Sequence, residues 1–353
     1  MRSMTRRRSR RAAIGLAMLA TGLFAAWVGL GIGGSTAVRY VDDLGTVLAA
    51  LAATLLCVRA GRQHDQPMRR FWWLLAGAAA CWTFAEAVWA VYELVLHVDV
   101  PLPSWADLGY LAAIPLAVAA LLMHPATWSH GGRRTRSLLD GLVLATALLF
   151  LSWTVVLGPL WRSTDLSTAG GVVTLAYPFG DVLMVFFVVL AVRGMRGGNR
   201  LSLWCLLSGL LAMALADSTY AYLTQVNSYG TGSLIDTGWV AAYLAIAVGA
   251  YCSDARHVVS RRDDPSPITL PSLVAPFLPV LLALTVAGVE TKLGHRPGRV
   301  EWILALVLVL LVLARQALLL TGLARSSREQ GETLSEQLGR IALGDLPTSR
   351  ATR

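Results

Sequence analysis

Along this chain long apolar runs alternate with short polar connectors, and each run is about the length a helix needs to cross the roughly 30 Å hydrocarbon core of a bilayer. The pattern predicts ten transmembrane helices, at 12–34, 42–60, 71–96, 105–123, 138–160, 174–192, 201–223, 236–253, 270–289 and 300–322. The connectors leave no room for a soluble domain between spans. The predicted fold class is therefore all-α, a polytopic integral membrane helical bundle. A basic segment covers 1–11, the transmembrane domain 12–323, and a short helical or disordered tail 324–353. In the tail Leu334, Leu338 and Ile341 put one apolar stripe on a polar helix of about two to three turns, too short for a stable coiled coil.

The polar residues inside the apolar runs follow a grammar. A Pro-x-Pro segment and Ser104 lead into a helix over 105–123 whose only charge, Asp107, lies in its first turn. Asp42 and Asp43 precede TVLAALAATLLCV, Asp181 follows Tyr177-Pro178 and precedes VLMVFFVVLAV, and Asp236 precedes TGWVAAYLAIAVGAY. On this reading every one of these helices opens with an acid at the same end of the bundle. A first-turn carboxylate accepts hydrogen bonds from free backbone N–H groups and complements the positive helix end, which accounts for such acids structurally. The odd-numbered runs carry an echo: Glu86 lies 15 residues after Phe71 and Asp217 lies 16 after Leu201, while the matching place in the fifth run holds Ser152 and Trp153. The expectation is a degenerate helical-hairpin repeat over spans three to eight.

Charge sets the topology. The connectors at 59–70, 133–136, 193–200 and 256–262, like the N-terminus, are rich in Arg, whereas those at 34–40, 97–104, 162–171, 224–235 and 290–299 are poorer. The positive-inside rule places the first set, and both termini, in the cytoplasm of a cell-membrane protein. Trp105, Trp161, Tyr177, Tyr229, Trp239 and Trp302 then fall near the outer boundary, where amphipathic rings prefer to sit. The net charge of +9 comes from Arg scattered through these connectors, with Lys292 the sole Lys, so it reads as topology and not as affinity for nucleic acid. Only 14% of residues are charged and 56% are apolar, outside the range of soluble domains. Cys57, Cys81, Cys205 and Cys252 have no C-x-x-C spacing and read as packing residues. The apolar run after the basic N-terminus exceeds the roughly 7 to 15 residues of a signal peptide core, which predicts a retained anchor.

The third run holds the most unusual chemistry. Trp82, Glu86, Trp89 and Glu93 are spaced 4, 3 and 4 and share one helical face. An ionisable group at the centre of a membrane costs about 2.5 to 3.5 kcal/mol on insertion scales and faces the bundle interior or a wet cavity. The candidate ligand-binding residues are Glu86, Glu93, Asp107, Asp181, Asp217 and Tyr220, forming an outward-opening polar pocket for a proton, a cation or an amine-bearing ligand. The competing structural reading makes Glu86 and Asp217 interhelical hydrogen-bonding groups that specify the fold. No catalytic residue, cofactor or metal is predicted. There is no G-x-x-x-x-G-K-[ST] loop, no G-x-G-x-x-G after a strand and no G-x-S-x-G elbow, and His97, Asp99 and His295 lack metal-binding spacing. Arg315 near the end of the last run is expected to snorkel to the interface. Pro271, Pro276 and Pro279 are expected to mark a kink in the ninth run.

A set of short motifs lies between 101 and 243, within a resemblance that covers about residues 40–325: PLPSWADLGYL with IPL (101–116), LLDG (138–141), AYPFGD (176–181), ADSTY (216–220) and DTGWVAAY (236–243). They resemble the polytopic N-terminal membrane region of actinobacterial cyclic-di-GMP signalling proteins, which carry GGDEF and EAL domains after the membrane part. Neither a GGDEF nor an EAL motif is present, and about 30 residues follow the tenth run, so cyclase or phosphodiesterase activity does not carry over. The resemblance implies an input module without its output, a multi-pass sensor or regulator in signal transduction. Its partners would be the lipid bilayer, a separate cytoplasmic signalling protein met through the C-terminal tail, and further copies of itself. The alternative is a small-solute or proton-coupled transporter. A lipid-modifying membrane enzyme ranks third, for want of a nucleophile and base.

Overall fold

In the computed structural model, residues 2–125, 133–163, 168–194, 200–226, 228–253, 277–292, 294 and 297–342 are described, and among them there is no strand. The helices run α1 (Arg2–Gly29), α2 (Gly34–Gln63), α3 (Met68–Ala90), α4 (Trp105–Met123), α5 (Arg133–Ser152), α6 (Gly158–Ser163), α7 (Ala169–Gly194), α8 (Arg200–Gln225), α9 (Asp236–Cys252), α10 (Phe277–Lys292) and α11 (Arg299–Ala342). Two π-helical turns extend this set: Val91–Val95 continues α3, and Trp153–Leu157 joins α5 to the short α6. Among the described residues eight helical segments, in α1–α5, α7, α8 and α11, are long and apolar enough to cross a membrane. The helix predicted at 236–253 is α9, 17 residues long and just at the lower limit for a span. Of the ninth run only 277–289 is described, within the 16 residues of α10, with Pro279 in the first turn. The connector at 256–262, Pro271 and Pro276 lie outside the described residues.

Surface and interior are distributed as a lipid solvent requires. Leu16, Leu19 and Leu23 on α1, Leu48 and Leu55 on α2, and Leu306, Leu310, Leu313 and Leu320 on α11 are exposed. In water, such leucine-covered faces would drive aggregation. The interior is built from small residues, as helices with no hydrophobic drive toward one another need in order to pack closely. Ala78, Ala79 and Ala85 of α3 and Ala113, Ala117 and Ala120 of α4 are buried. A Cβ on Gly109 would lie 2.7 Å from the Cys81 carbonyl oxygen, so only glycine permits this approach of α4 to α3.

One continuous core joins α1–α4 and α7–α9. The short α9 lies within it, packed on α1, α2 and α8. At the end bearing the α2–α3 connector, Phe71, Trp72 and Leu121 are almost wholly inaccessible. His124, just past α4, meets the Phe71 ring edge-on at 4.9 Å between centroids, and burial pushes its imidazole down to about 4, so it is neutral. A second, smaller cluster joins Val143 and Ala147 of α5 to Leu308 of α11, with Val280 of α10 against it. α5 also packs on α7 and thereby links the two clusters.

The firmest tie between α5 and α11 is ionic. Arg315 is 1% exposed and its Nε donates to Asp140 Oδ1. The expected snorkelling is therefore wrong: the guanidinium turns inward to a carboxylate 175 positions away in sequence. Removing one partner of a buried ion pair leaves an uncompensated charge and costs about 3 to 5 kcal/mol, whereas replacing both with apolar groups is often neutral. Asp140→Ala should accordingly lower the melting temperature of the detergent-solubilised protein, and the double variant Asp140→Leu with Arg315→Leu should recover most of the loss. Equal melting of wild type and Asp140→Ala would remove this pair from the account.

Candidate functional site

The carboxylates fall into two groups by position. Asp107 and Asp236 sit in the first turns of α4 and α9, as predicted. Asp107 Oδ2 accepts the Ser104 backbone N–H at 2.6 Å in a capping box, and Asp236 Oδ2 accepts the N–H groups of Gly232 and Ser233 at 2.9 and 2.8 Å. Asp42, Asp43 and Asp181 do not open helices. α2 begins at Gly34 and α7 at Ala169, so Asp42 and Asp43 are its ninth and tenth residues and Asp181 the thirteenth of α7. At mid-helix the backbone N–H groups are already paired, and the capping explanation fails for these three.

All of them meet in one cavity of about 310 Å³, at the end of the bundle where the α3–α4 and α8–α9 connectors come together. Its lining contains seven carboxyl groups: Asp42 and Asp43 from α2, Glu86 from α3, Asp107 from α4, Asp181 from α7, Asp217 from α8 and Asp236 from α9. Four of these, Asp42, Glu86, Asp181 and Asp217, lie roughly 12 to 18 Å along their helices from the ends that surround the mouth. Aromatic rings form the walls between the acids. Tyr220 packs against Tyr229, Trp239 and Trp89 with centroids at 4.6, 5.8 and 6.3 Å, all near edge-to-face. Tyr110 lies 6.2 Å from Tyr177, and Trp82 lies 6.0 Å from Tyr243. No lysine or arginine is among the described lining residues.

Several acids are tied to neighbouring helices. Tyr243 Oη donates to Glu86 Oε1 at 2.7 Å, Trp239 Nε1 donates to Asp217 Oδ1 at 2.6 Å, and Tyr177 Oη donates to Asp107 Oδ1. These bonds make the structural reading of Glu86 and Asp217 partly correct: both fasten α9 to its neighbours. Others are left wanting. Asp42 and Asp181 are each 4% exposed, yet Asp42 Oδ1 and Asp181 Oδ2 receive no hydrogen bond, and neither does Asp43 Oδ2. Asp42 faces Asp236 and Asp181 faces Asp217, each couple within hydrogen-bonding reach.

Five of the six sequence-predicted residues, Glu86, Asp107, Asp181, Asp217 and Tyr220, thus line one cavity. Glu93 does not. The π-helical turn at Val91–Val95 alters the register of the helix beyond Trp89, and Glu93 instead accepts from Trp89 Nε1 at 2.9 Å and Thr231 Oγ1 at 2.5 Å, with Arg39 at 3.6 Å. Tyr177, Tyr229 and Trp239, expected at the membrane boundary, line the cavity, whereas Trp105, Trp161 and Trp302 are exposed. Tyr110 and Tyr243 escaped notice because an aromatic ring in an apolar run reads as core; their hydroxyls next to Glu86 distinguish them. His97 Nδ1 contacts the Glu93 carbonyl oxygen at 3.3 Å, His295 lies outside the described residues, and among those described no group of His, Cys, Asp or Glu is disposed to hold a metal ion.

Compared with known proteins, the chain matches no family model, no curated protein and no solved structure.

A buried carboxyl oxygen without a donor costs the fold about 1 to 3 kcal/mol, and such costs persist where function uses them. Asp181→Asn should therefore raise the melting temperature of the ligand-free protein, while Tyr243→Phe, which strips a donor from Glu86, should lower it. A lower melting temperature for Asp181→Asn would make Asp181 a structural residue.

Proposed function

We propose that this chain is a multi-pass sensory or regulatory module of the cell membrane, with about ten transmembrane helices in degenerate hairpin repeats and both termini in the cytoplasm. The observation that carries this reading is the acid- and aromatic-lined cavity at one end of the bundle, with its path through packed helices to α11. The Arg-rich connector at 59–70 lies at the opposite end, so the positive-inside rule turns the cavity toward the exterior. Of the cavity helices α7, which carries Asp181, packs on α5, and α5 holds α11 through Asp140 and Arg315. α11 is one helix of 44 residues, about 66 Å long, and therefore extends well past a 30 Å hydrocarbon core. A small displacement of α7 on ligand or proton binding would reach the tail as a shift or rotation of α11.

The motifs that resemble the membrane region of cyclic-di-GMP signalling proteins favour a partner in that type of signalling, met through 324–353. The module itself is non-catalytic on this reading. Transport is the second reading, favoured by intramembrane carboxyls around a cavity. Close packing of Phe71, Trp72 and Leu121 at the opposite end of the bundle speaks for a closed site rather than a path.

Crosslinking and co-purification from native membranes test the proposal, with the full chain compared to one ending at Ser327. A signalling enzyme captured by the full chain and lost on truncation, with output altered in Glu86→Gln and Asp217→Asn, is the expected result. Glu86-dependent solute uptake into proteoliposomes, with nothing specific captured, would establish transport in its place.

A further inference from the structure

The cavity's chemistry selects a ligand class, and the inference rests on the reading above that the cavity takes a ligand. An anion is excluded, because the described lining offers carboxyl groups and no basic side chain, in a chain whose net charge is +9. An inorganic divalent ion fits poorly, because it needs several ligands converging on one point and the described residues provide no such group. What the cavity does provide is acid and aromatic surface together. Asp181 and Asp42, each 4% exposed and each with one buried carboxyl oxygen that receives no hydrogen bond, are among its lining residues. Beside them Trp89, Tyr220 and Trp239 stand near edge-to-face, so their ring faces point in several directions. Aromatic cages of this kind bind ammonium groups through the negative face of the ring, and buried carboxylates add charge-assisted hydrogen bonds. The volume of about 310 Å³ suits a small molecule.

We propose that the cavity is a receptor site for a small organic cation, an ammonium group on an apolar or aromatic body. The ammonium is met by Asp42, Asp181 and Asp217 and the body packs against Trp89, Tyr220 and Trp239. Binding supplies the positive charge that the facing carboxyl couples lack, and so draws α7 toward α8 and α2 toward α9. A free amine and a lipid headgroup share this chemistry.

Titration calorimetry on the full chain in phosphatidylglycerol nanodiscs tests it, with phenethylammonium as probe and 2-phenylethanol as its neutral counterpart. The expected result is saturable binding of the amine at roughly tenfold or greater preference over the alcohol, reduced by about tenfold in Asp181→Asn while the weak alcohol binding is unchanged. If phosphatidylethanolamine nanodiscs abolish amine binding, the natural source is a headgroup; if they do not, it is a free solute. Equal affinity for amine and alcohol, no saturable amine binding in the millimolar range, or full affinity in Asp181→Asn each overturns the proposal. Wild type alone decides the amine preference, so a misfolded variant cannot rescue it. Partner capture is scored separately. Capture without amine binding refutes the ligand class and leaves the sensory reading intact, and amine binding without capture does the reverse.

Discussion

A carboxylate buried inside a membrane bundle must be matched by a donor, a cation or a proton, because no water is at hand to solvate it. This chain meets the requirement in two ways and leaves it unmet in a third group of residues. Asp140 is matched by Arg315, and the pair fixes α11 to α5. Asp107 and Asp236 are matched by backbone N–H groups at helix starts and Glu86 and Asp217 by Tyr243 and Trp239, which set α4 and α9 in place. Asp42, Asp43 and Asp181 each retain a carboxyl oxygen that nothing in the described protein matches, and all three border the same cavity. The bundle is held by the first two arrangements, and the third leaves unmatched carboxyl oxygens beside the cavity.

The division has a spatial logic. α9 is the shortest helix of the main core and bears Asp236, Trp239 and Tyr243, which reach toward α2, α8 and α3 in turn. Small residues let the surrounding helices close on it: a Cβ on Gly209 of α8 would lie 2.9 Å from the Ala242 carbonyl oxygen. Packing this tight transmits displacement instead of absorbing it. From the cavity wall α7 leads to the flanking cluster and on to α11.

Hydropathy alone makes most of this architecture legible, because a membrane span needs only length and apolar character. Helix starts were legible where a turn signal coincides with an acid, as at Ser104 and Asp107. They were misread where polar residues belong to the helix itself. The stretch from Gly34 to Val41 is helical despite Arg39, and α7 continues through Pro178, where neighbouring groups can re-satisfy the carbonyl one turn earlier that proline leaves without an N–H donor. The spacing of Trp82, Glu86 and Trp89 identified a true cavity face, and the π-helical turn that removes Glu93 from it leaves no mark in the pattern. Arg315 could not be placed from sequence because its partner is remote along the chain, and Asp42 and Asp181 looked like caps until their depth was known.

The central claim is that the acid- and aromatic-lined cavity is open to the cell exterior, and thiol accessibility tests it most directly. Thr224 lines the cavity and is exposed near its mouth. In a background lacking Cys57, Cys81, Cys205 and Cys252, Thr224→Cys in intact cells should react with a membrane-impermeant maleimide, and the neighbouring wall position Thr174→Cys should react more slowly. Labelling of both positions only after the cytoplasmic face is exposed, in inverted vesicles, would contradict the account.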